Sequence, residues 1–343
     1  MRYKLLGRSG LRVSELALGT MTFGPEWGWG ASKEESRKIF DAFAEAGGNF
    51  LDTANRYTEG TSERYVGEFV RVDRDHFVVA TKYTLFDRHG DPNAAGNHRK
   101  NMVRSLEASL DRLGLDFVDL FWVHAWDFTT GVDEVMRGLD DLVRGGLVLY
   151  VGVSDTPAWM VSQANMLADL RGWSPFVALQ LRYSLLDRTS ERELLPMARH
   201  LDLAVTPWAV QGAGVLSGKY TRGGAGPTGR ARDGAAADER NLAIARVVDR
   251  VADEIGCTSS QVAIAWVRCQ PGVVVPIVGA RTAEQLRETL GALDVALGDG
   301  HLASLNEASA IEMGFPHEWL AKDYIRNLVY AGTLDRIDHH RRK

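Results

Sequence analysis

The chain has few cysteines, no long apolar run and no excess of positive charge. Its 343 residues include two cysteines, Cys257 and Cys269, and their spacing does not match a zinc site, so we expect reduced thiols and no bound metal. No segment approaches the roughly 18 apolar residues of a membrane-spanning helix, and the first residues lack the apolar core of a signal peptide. A net charge of -5 argues against a nucleic-acid surface. We therefore expect a cytoplasmic protein that contacts neither membrane nor nucleic acid, and the sequence leaves homo-oligomer formation open.

What the chain does contain is a regular alternation of short apolar runs with helical stretches. Four of the stretches begin with a capping-box pattern, at Ser32, Ser190, Thr258 and Thr282. The apolar runs, read as buried parallel strands, lie near 15–19, 50–53, 76–82, 117–123, 148–153, 176–180, 203–208 and 273–278. Eight such units predict a (β/α)8 TIM barrel with a short N-terminal hairpin and a C-terminal extension, formed as a single domain over residues 1–343.

Polar residues stand where several of these runs stop. Asp52 and Tyr57 follow the second run, Lys82 ends the third and His124 follows the fourth. In a barrel of this type the active site lies at the carboxyl ends of the strands, so these four side chains are expected to share one site. A phenol is a weak acid unless a nearby cation stabilises its anion, and Lys82 can supply that charge while Asp52 holds it in place. With His124 directing a carbonyl oxygen, this set suits proton donation during hydride delivery to a carbonyl.

These residues lie in motifs that resemble those of the aldo-keto reductases. The motifs are DTANRYTEGTSERYVGE around Asp52 and Tyr57, TKY at Lys82 and WVHAW at His124. The likeness continues from LGTMTFG to PIVGARTAEQLRETLGAL, and its last parts resemble the branch that includes the potassium-channel β subunits and their bacterial relatives. The resemblance implies that Tyr57 is the general acid, that Lys82 lowers its pKa, that Asp52 pairs with Lys82, and that His124 orients the substrate.

The resemblance also implies a nicotinamide cofactor. Ser154 and Gln180 would bind the carboxamide, Trp208 would stack on the ring, and a loop ending at Lys219 would wrap the pyrophosphate. Arg281 precedes a helix where the 2′-phosphate is expected, which favours NADP(H) over NAD(H). The alternatives are that Trp208 is a core residue and that Arg281 is an exposed helix-start charge. The complete set of implied cofactor positions is Thr20, Asp52, Ser154, Asp155, Gln180, Trp208, Ala209, Val210, Gln211, Gly212, Gly214, Lys219, Arg230, Gly279, Arg281, Gln285, Glu288 and Thr289.

Aromatic residues in loops after the strands predict the walls of a substrate pocket, although ordinary loop packing explains each one equally well. These residues, with one methionine, are Met21, Trp27, Trp29, Phe86 and Trp126. The segment 311–320 is a further candidate for closing the pocket. The Gly- and Ala-rich segment 221–240 is either a lid over the cofactor, with Arg230 as its latch, or a passive excursion.

Three classes of function are compatible with the chain. The first is an NADPH-dependent carbonyl reductase acting on an aldehyde or ketone. The second is a cofactor-binding regulatory subunit similar to the channel β proteins, against which His124 and the lack of an extended segment before the barrel both argue. The third is a metal-dependent hydrolase or lyase on the same fold, although His124 has no companion residues at metal-ligand spacing.

Overall fold

The computed structural model describes residues 1–223 and 238–338. A short antiparallel hairpin, β1 Tyr3–Leu5 with β2 Arg12–Ser14, precedes a sheet of eight parallel strands. Those strands are β3 Ala17–Gly19, β4 Phe50–Asp52, β5 Val78–Tyr83, β6 Val118–Val123, β7 Val148–Ser154, β8 Phe176–Arg182, β9 Ala204–Trp208 and β10 Ile277–Val278. Each of the eight predicted strands is present, and the predicted (β/α)8 architecture and its hairpin are confirmed.

Helices cover the outside of the sheet. Between the strands lie α1 Lys33–Glu45, α2 Thr61–Val70, α3 Arg99–Leu113, α4 Val132–Arg144, α5 Ala158–Arg171, α6 Leu194–His200, α7 Glu239–Ile255 and α8 Ser259–Arg268. After β10 come α9 Ala283–Leu290, α10 Asp299–Ala308, α11 His317–Leu320 and α12 Asp323–Val329. None of the helices within the described ranges combines the length and the apolar character that a membrane crossing requires.

The eighth strand is shorter than the sequence predicts, because Pro276 interrupts the run. Proline has no N–H to give to a sheet, so the segment pairs in two pieces. On one side, Val205 of β9 donates to the carbonyl of Val273 at 2.7 Å and accepts from Val275 at 2.8 Å. On the other side, Pro276 accepts from Ala17 at 2.9 Å, and β10 pairs with β3. The two pieces together connect β9 to β3 and so close the barrel.

The capping patterns have mixed outcomes. Thr258 and Gln261 form the complete reciprocal capping box at the start of α8. Ser32 and Thr282 accept the expected backbone N–H groups, but the side chain of the residue three positions on bonds elsewhere. The helix start at Ser190 was wrong: this hydroxyl donates to the carbonyl of Arg182 at 3.1 Å within a 3-10 turn, and α6 begins only at Leu194.

The barrel interior below the strand ends is filled with apolar side chains. Trp122 is fully buried there together with Phe50, Ala80 and Leu120. Gly152 on the neighbouring strand makes room for the indole, since a Cβ at this position would lie 2.4 Å from a ring carbon of Trp122. A packed floor of this kind confines the polar residues to the mouth of the barrel.

Candidate active site

The structure brings the four predicted catalytic side chains together at the carboxyl ends of the strands. The Nζ of Lys82 lies 2.6 Å from a carboxylate oxygen of Asp52, 2.8 Å from the carbonyl of Thr53 and 3.3 Å from the hydroxyl of Tyr57. The rings of Tyr57 and His124 are nearly perpendicular, with centroids 6.1 Å apart. Adjacent parallel strands end at one edge, which is why residues 72 positions apart in the chain meet here.

The Asp52–Lys82 pair is held by groups that the sequence analysis did not connect. The side-chain amide of Gln180, on the opposite side of the barrel, donates to the second carboxylate oxygen of Asp52 at 3.1 Å. The hydroxyl of Ser62, at the start of α2, bonds to Thr20 and Thr53 at 2.8 and 2.9 Å. Thr20 also donates to the carbonyl of Asp52, so its fully buried hydroxyl has protein partners and ties β3 to β4.

Tyr57 is presented by a strained turn. Thr58 and Glu59, the next two residues, have positive φ angles of 45° and 54°. The Thr58 hydroxyl donates to the carbonyl of Phe23 at 2.6 Å and accepts from the N–H of Ser62, which fixes the turn between the first loop and α2. A backbone conformation this uncommon for non-glycine residues persists only where its surroundings enforce it. The phenol is therefore held in place by its own segment as well as by Lys82.

Burial and charge act in opposite directions on these groups. Burial is the largest single influence on Lys82 and lowers its pKa, but the charges of Asp52 and Tyr57 and their hydrogen bonds together outweigh it, so the net pKa is raised and the ammonium stays charged. Burial raises the pKa of Tyr57 above its usual 10.0, and Lys82 opposes this shift only in part. The expectation that Lys82 lowers the phenol pKa therefore has the correct direction for that one interaction, while desolvation decides the net result.

His124 is neutral at ordinary pH. Burial, followed by the nearby charge of Lys82, places the pKa of its imidazole well below 6.5. Its Nδ1 is buried, and no residue of the described ranges forms a hydrogen bond to it. With no acceptor facing Nδ1, the single ring proton is better placed on Nε2, where it can be donated to a ligand.

Three of the predicted nicotinamide contacts lie on adjoining strand ends beside this cluster. Ser154 and Gln180 are buried and directly opposite each other in the ladder between β7 and β8. Trp208, at the end of β9, is half-buried, and its indole N–H donates to the carboxylate of Asp155 at 3.3 Å. Asp155 remains exposed; loss of solvation in the crowded mouth raises its pKa, while Trp208 and then Lys82 oppose that shift.

The predicted pyrophosphate loop is a tight turn rich in left-handed backbone. Ala209, Gly212, Gly214 and Gly218 all have positive φ angles, between 55° and 91°. A Cβ on Gly214 would lie 3.0 Å from the Nζ of Lys219, whose side chain folds back over the turn. The φ of 91° at Gly214 favours glycine, and the absence of a side chain there lets the Lys219 ammonium lie close to the backbone. Val210 is buried in the core, and Gln211 begins the turn with its carbonyl bonded to the N–H of Gly214.

The predicted 2′-phosphate region lies at the start of α9. Arg281 is exposed immediately before the N-cap residue Thr282, and its backbone N–H donates to the side chain of Gln285 at 3.0 Å. Glu288 is exposed on the same helix, whereas Thr289 is buried. Gly279 packs close to the first barrel strand, since a Cβ there would lie 3.3 Å from the carbonyl of Gly19.

Aromatic side chains form one wall beside Tyr57. The Trp27 ring lies 6.5 Å from the Tyr57 ring and 5.8 Å from Trp29. The sequence analysis missed Arg56, whose guanidinium carbon lies 4.7 Å from the centroid of Phe86 and 5.9 Å from that of Trp27. Its position next to Tyr57 in the chain was the one available signal.

The other two residues predicted for the substrate pocket, Met21 and Trp126, differ in burial. Met21 is half-buried in the first loop. Trp126 is 6% exposed and packs in the main hydrophobic core, which agrees with the alternative of ordinary loop packing.

A cavity of about 370 Å³ opens next to Asp155 and Gln180 and is also lined by Phe128 and Leu181. The 311–320 segment contacts the turn that precedes α6, where Arg192 donates to the carbonyl of Glu312, and it leaves Phe315 84% exposed.

Backbone strain is concentrated around this mouth. The described residues contain nine non-glycine positions with positive φ, and seven of them follow barrel strands at their carboxyl ends. The seven are Thr58, Glu59, Thr84, Phe128, Asp155, Ala209 and Ala213. Such conformations cost on the order of 1 to 3 kcal/mol each and cluster at functional sites. This observation points to the same face of the barrel independently of side-chain chemistry.

The predicted lid and its predicted latch are not described by the structure. Arg230 and most of the segment 221–240 lie outside the described residues.

Within residues 1–223 and 238–338, no group of three or more His, Cys, Asp or Glu side chains is arranged to hold a metal ion. Cys257 and Cys269 are free thiols.

Comparisons with known proteins agree with this geometry. The model of the Aldo/keto reductase family matches residues 15–310. An aryl-alcohol dehydrogenase [NADP(+)] of Phanerodontia chrysosporium is 39% identical over 350 residues, covering 95% of this chain and 91% of that protein. A norsolorinic acid reductase of Aspergillus flavus is 38% identical over 328 residues, covering 92% of this chain and 83% of its own. An aryl-alcohol dehydrogenase of Pestalotiopsis microspora is 36% identical over 330 residues, with coverages of 93% and 85%.

Proposed function

Because this chain belongs to the aldo/keto reductase family, it is an NADP-dependent oxidoreductase, and we propose that it reduces aromatic aldehydes or ketones with Tyr57 as the general acid. The observation that carries this proposal is the buried contact of the Lys82 ammonium with both the Asp52 carboxylate and the Tyr57 hydroxyl. A fixed positive charge next to a phenol stabilises the phenolate that forms when the proton leaves. A general acid placed beside a carbonyl oxygen is what carbonyl reduction requires.

The residues divide the reaction among them. NADPH, when bound, supplies the hydride to the carbonyl carbon. Tyr57 gives its proton to the carbonyl oxygen, so that the carbonyl becomes an alcohol and the phenol becomes a phenolate beside Lys82. Asp52 keeps Lys82 charged and in place, and Gln180 fixes Asp52. His124 donates from Nε2 to the same carbonyl oxygen and orients it toward the phenol. In the reverse direction the phenolate accepts the alcohol proton.

The described side chains fit the cofactor at three places. Ser154 and the free carbonyl oxygen of Gln180 offer a donor and an acceptor to the carboxamide, and the indole of Trp208 offers a flat face to the ring. The glycine turn with the folded-back Lys219 offers a cation and close backbone to the pyrophosphate. Arg281 at the start of α9 offers a guanidinium to the 2′-phosphate, where the helix dipole adds to it.

The aromatic wall supports the choice of substrate class. The Trp27 ring meets the Tyr57 ring edge to face, Trp29 packs against Trp27, and Arg56 contacts the rings of both Trp27 and Phe86. Aromatic rings favour other rings at such distances, and a guanidinium adds attraction for an electron-rich ring. The relatives named for aryl alcohols and for norsolorinic acid are consistent with this preference.

The alternative function is a regulatory subunit that binds NADPH and turns over weakly, in keeping with the resemblance to the channel β branch. The intact set of Tyr57, Lys82, Asp52 and His124 favours catalysis over this role. The two are separated by titrating the purified protein with NADPH, followed by fluorescence, and then adding 4-nitrobenzaldehyde. We expect saturable binding and then a loss of NADPH absorbance that exceeds one turnover. Binding without turnover would support the regulatory role, and an absence of binding would refute both.

A further inference from the structure

Two acidic side chains, Asp155 and Asp187, line the cavity beside Gln180, and within the described residues only Asp155 lacks a cationic partner. Asp52 is paired with Lys82, and Asp187, which lines the same cavity, is paired with Arg182 at 3.3 Å. Within the described residues, no Lys, Arg or His side chain lies within 4.0 Å of the Asp155 carboxylate. Since Lys82 and Asp52 cancel each other and His124 is neutral, the mouth has an uncompensated negative charge at this position.

The position of that charge is fixed. Asp155 directly follows β7 with a φ of 41°, a left-handed conformation that aspartate tolerates better than most residues. Its Oδ1 accepts the indole N–H of Trp208, and a tryptophan N–H can only donate. The carboxylate is therefore oriented by a hydrogen bond, and it stands at the edge of the ring on which the nicotinamide is proposed to stack.

We propose that Asp155 determines which oxidation state of the cofactor the protein prefers, by favouring the cationic oxidised nicotinamide over the neutral reduced one. This inference rests on the proposed function, because it uses the stacking position on Trp208. A carboxylate attracts the positive ring of NADP⁺ and has no such attraction for NADPH. The same attraction stabilises the positive charge that develops on the ring as hydride leaves, so Asp155 promotes reduction and slows release of the oxidised product.

The variant Asp155→Asn removes the negative charge while keeping the side chain in the same position. Asparagine retains an oxygen that accepts the Trp208 N–H, and it tolerates the left-handed backbone equally well. The dissociation constants of NADP⁺ and NADPH are measured separately by fluorescence titration of the intact protein. We expect the affinity for NADP⁺ to fall about tenfold while that for NADPH changes by less than about twofold. Tenfold corresponds to about 1.4 kcal/mol, a modest fraction of the attraction between two nearby unit charges, as suits an exposed and screened carboxylate.

Two further variants make the outcome decisive. Asp155→Glu keeps the charge but changes its reach, so the ratio of the two constants should stay near that of the parent even if both affinities fall. Asp111→Asn removes one exposed acid in the last turn of α3, at the opposite end of the barrel from Trp208, so it should leave the ratio unchanged. Equal weakening of NADP⁺ and NADPH in Asp155→Asn, or no change in either, would overturn the proposal while leaving the proposed function intact. A parent protein that binds neither cofactor would overturn both.

Discussion

Replacing Lys82 with methionine tests whether the buried ion pair is both a stability element and a catalytic one. Lys82 is 0% exposed, and its ammonium has three oxygen partners within 3.3 Å. Methionine has a similar length and no charge, so Lys82→Met leaves the Asp52 carboxylate buried with only Gln180 as a side-chain donor. Leaving one member of a buried pair without its partner costs about 3 to 5 kcal/mol.

A double variant separates the cost of leaving the Asp52 charge unpaired from the cost of lost packing. In Asp52→Asn with Lys82→Met, both charges are absent and no buried charge is left alone. We expect its loss of unfolding free energy to be smaller than the sum of the two single losses by about 2 kcal/mol. Carbonyl reduction should stay low in the double variant, about 10²-fold below the parent or lower, because Tyr57 still lacks its neighbouring cation.

Urea unfolding provides the stability measurement, and NADPH consumption provides the activity. Lys33→Met is a matched control, since the Lys33–Glu68 pair has the same 2.6 Å separation as the Lys82–Asp52 pair but is about half exposed. Screening makes exposed pairs weak, so this control should unfold like the parent. Strictly additive losses in the double variant, or a Lys82→Met protein with parental activity, would refute the reasoning.

Three further predictions use the same geometry. Arg281→Ala should weaken NADPH binding by about 1.5 to 3 kcal/mol and NADH binding much less, whereas Arg287→Ala, on the helix that follows Arg281, should affect both cofactors alike. Equal losses for the two cofactors in Arg281→Ala would show a role in helix stability only. Reduction at saturating substrate should vary little between about pH 7.5 and about pH 9, because the pKa of His124 lies well below 6.5 and that of Tyr57 lies above 10.0, and a full titration step within this window would contradict both assignments. Gly152→Ala should lower the unfolding free energy by about 1 to 3 kcal/mol through overpacking against Trp122, and an unchanged thermal midpoint would contradict the packing seen here.

The strand ends show what the sequence could predict. Apolar runs mark buried parallel strands, and since such strands end at one edge, Asp52, Lys82 and His124 were expected to converge and do. The helix start at Ser190 was wrong because a hydroxyl followed by an acid also suits a 3-10 turn, and only the tertiary partner at Arg182 decides between them. The predicted eighth strand was too long because the apolar run continues through Pro276, where the strand is interrupted.

Contacts across the barrel could not be predicted. The Gln180–Asp52 hydrogen bond joins residues 128 positions apart, and the Asp155–Trp208 bond depends on side-chain rotamers and on a left-handed backbone angle. We expected Lys82 to set the pKa of Tyr57. The direction of the net pKa shift instead depends on how much water the folded site excludes. Side-chain rotamers, contacts across the barrel and the exclusion of water depend on three-dimensional packing, which the spacing of apolar residues does not specify.

The role of Tyr57 as the proton donor is tested most directly by Tyr57→Phe, which removes one oxygen atom and keeps the ring. The measurement is the rate of 4-nitrobenzaldehyde reduction at saturating NADPH, with the NADPH dissociation constant determined on the same preparation. We expect the dissociation constant to stay within about twofold of the parent and the rate to fall about 10²- to 10⁴-fold. A rate within about twofold of the parent would contradict the assignment of Tyr57 as the general acid.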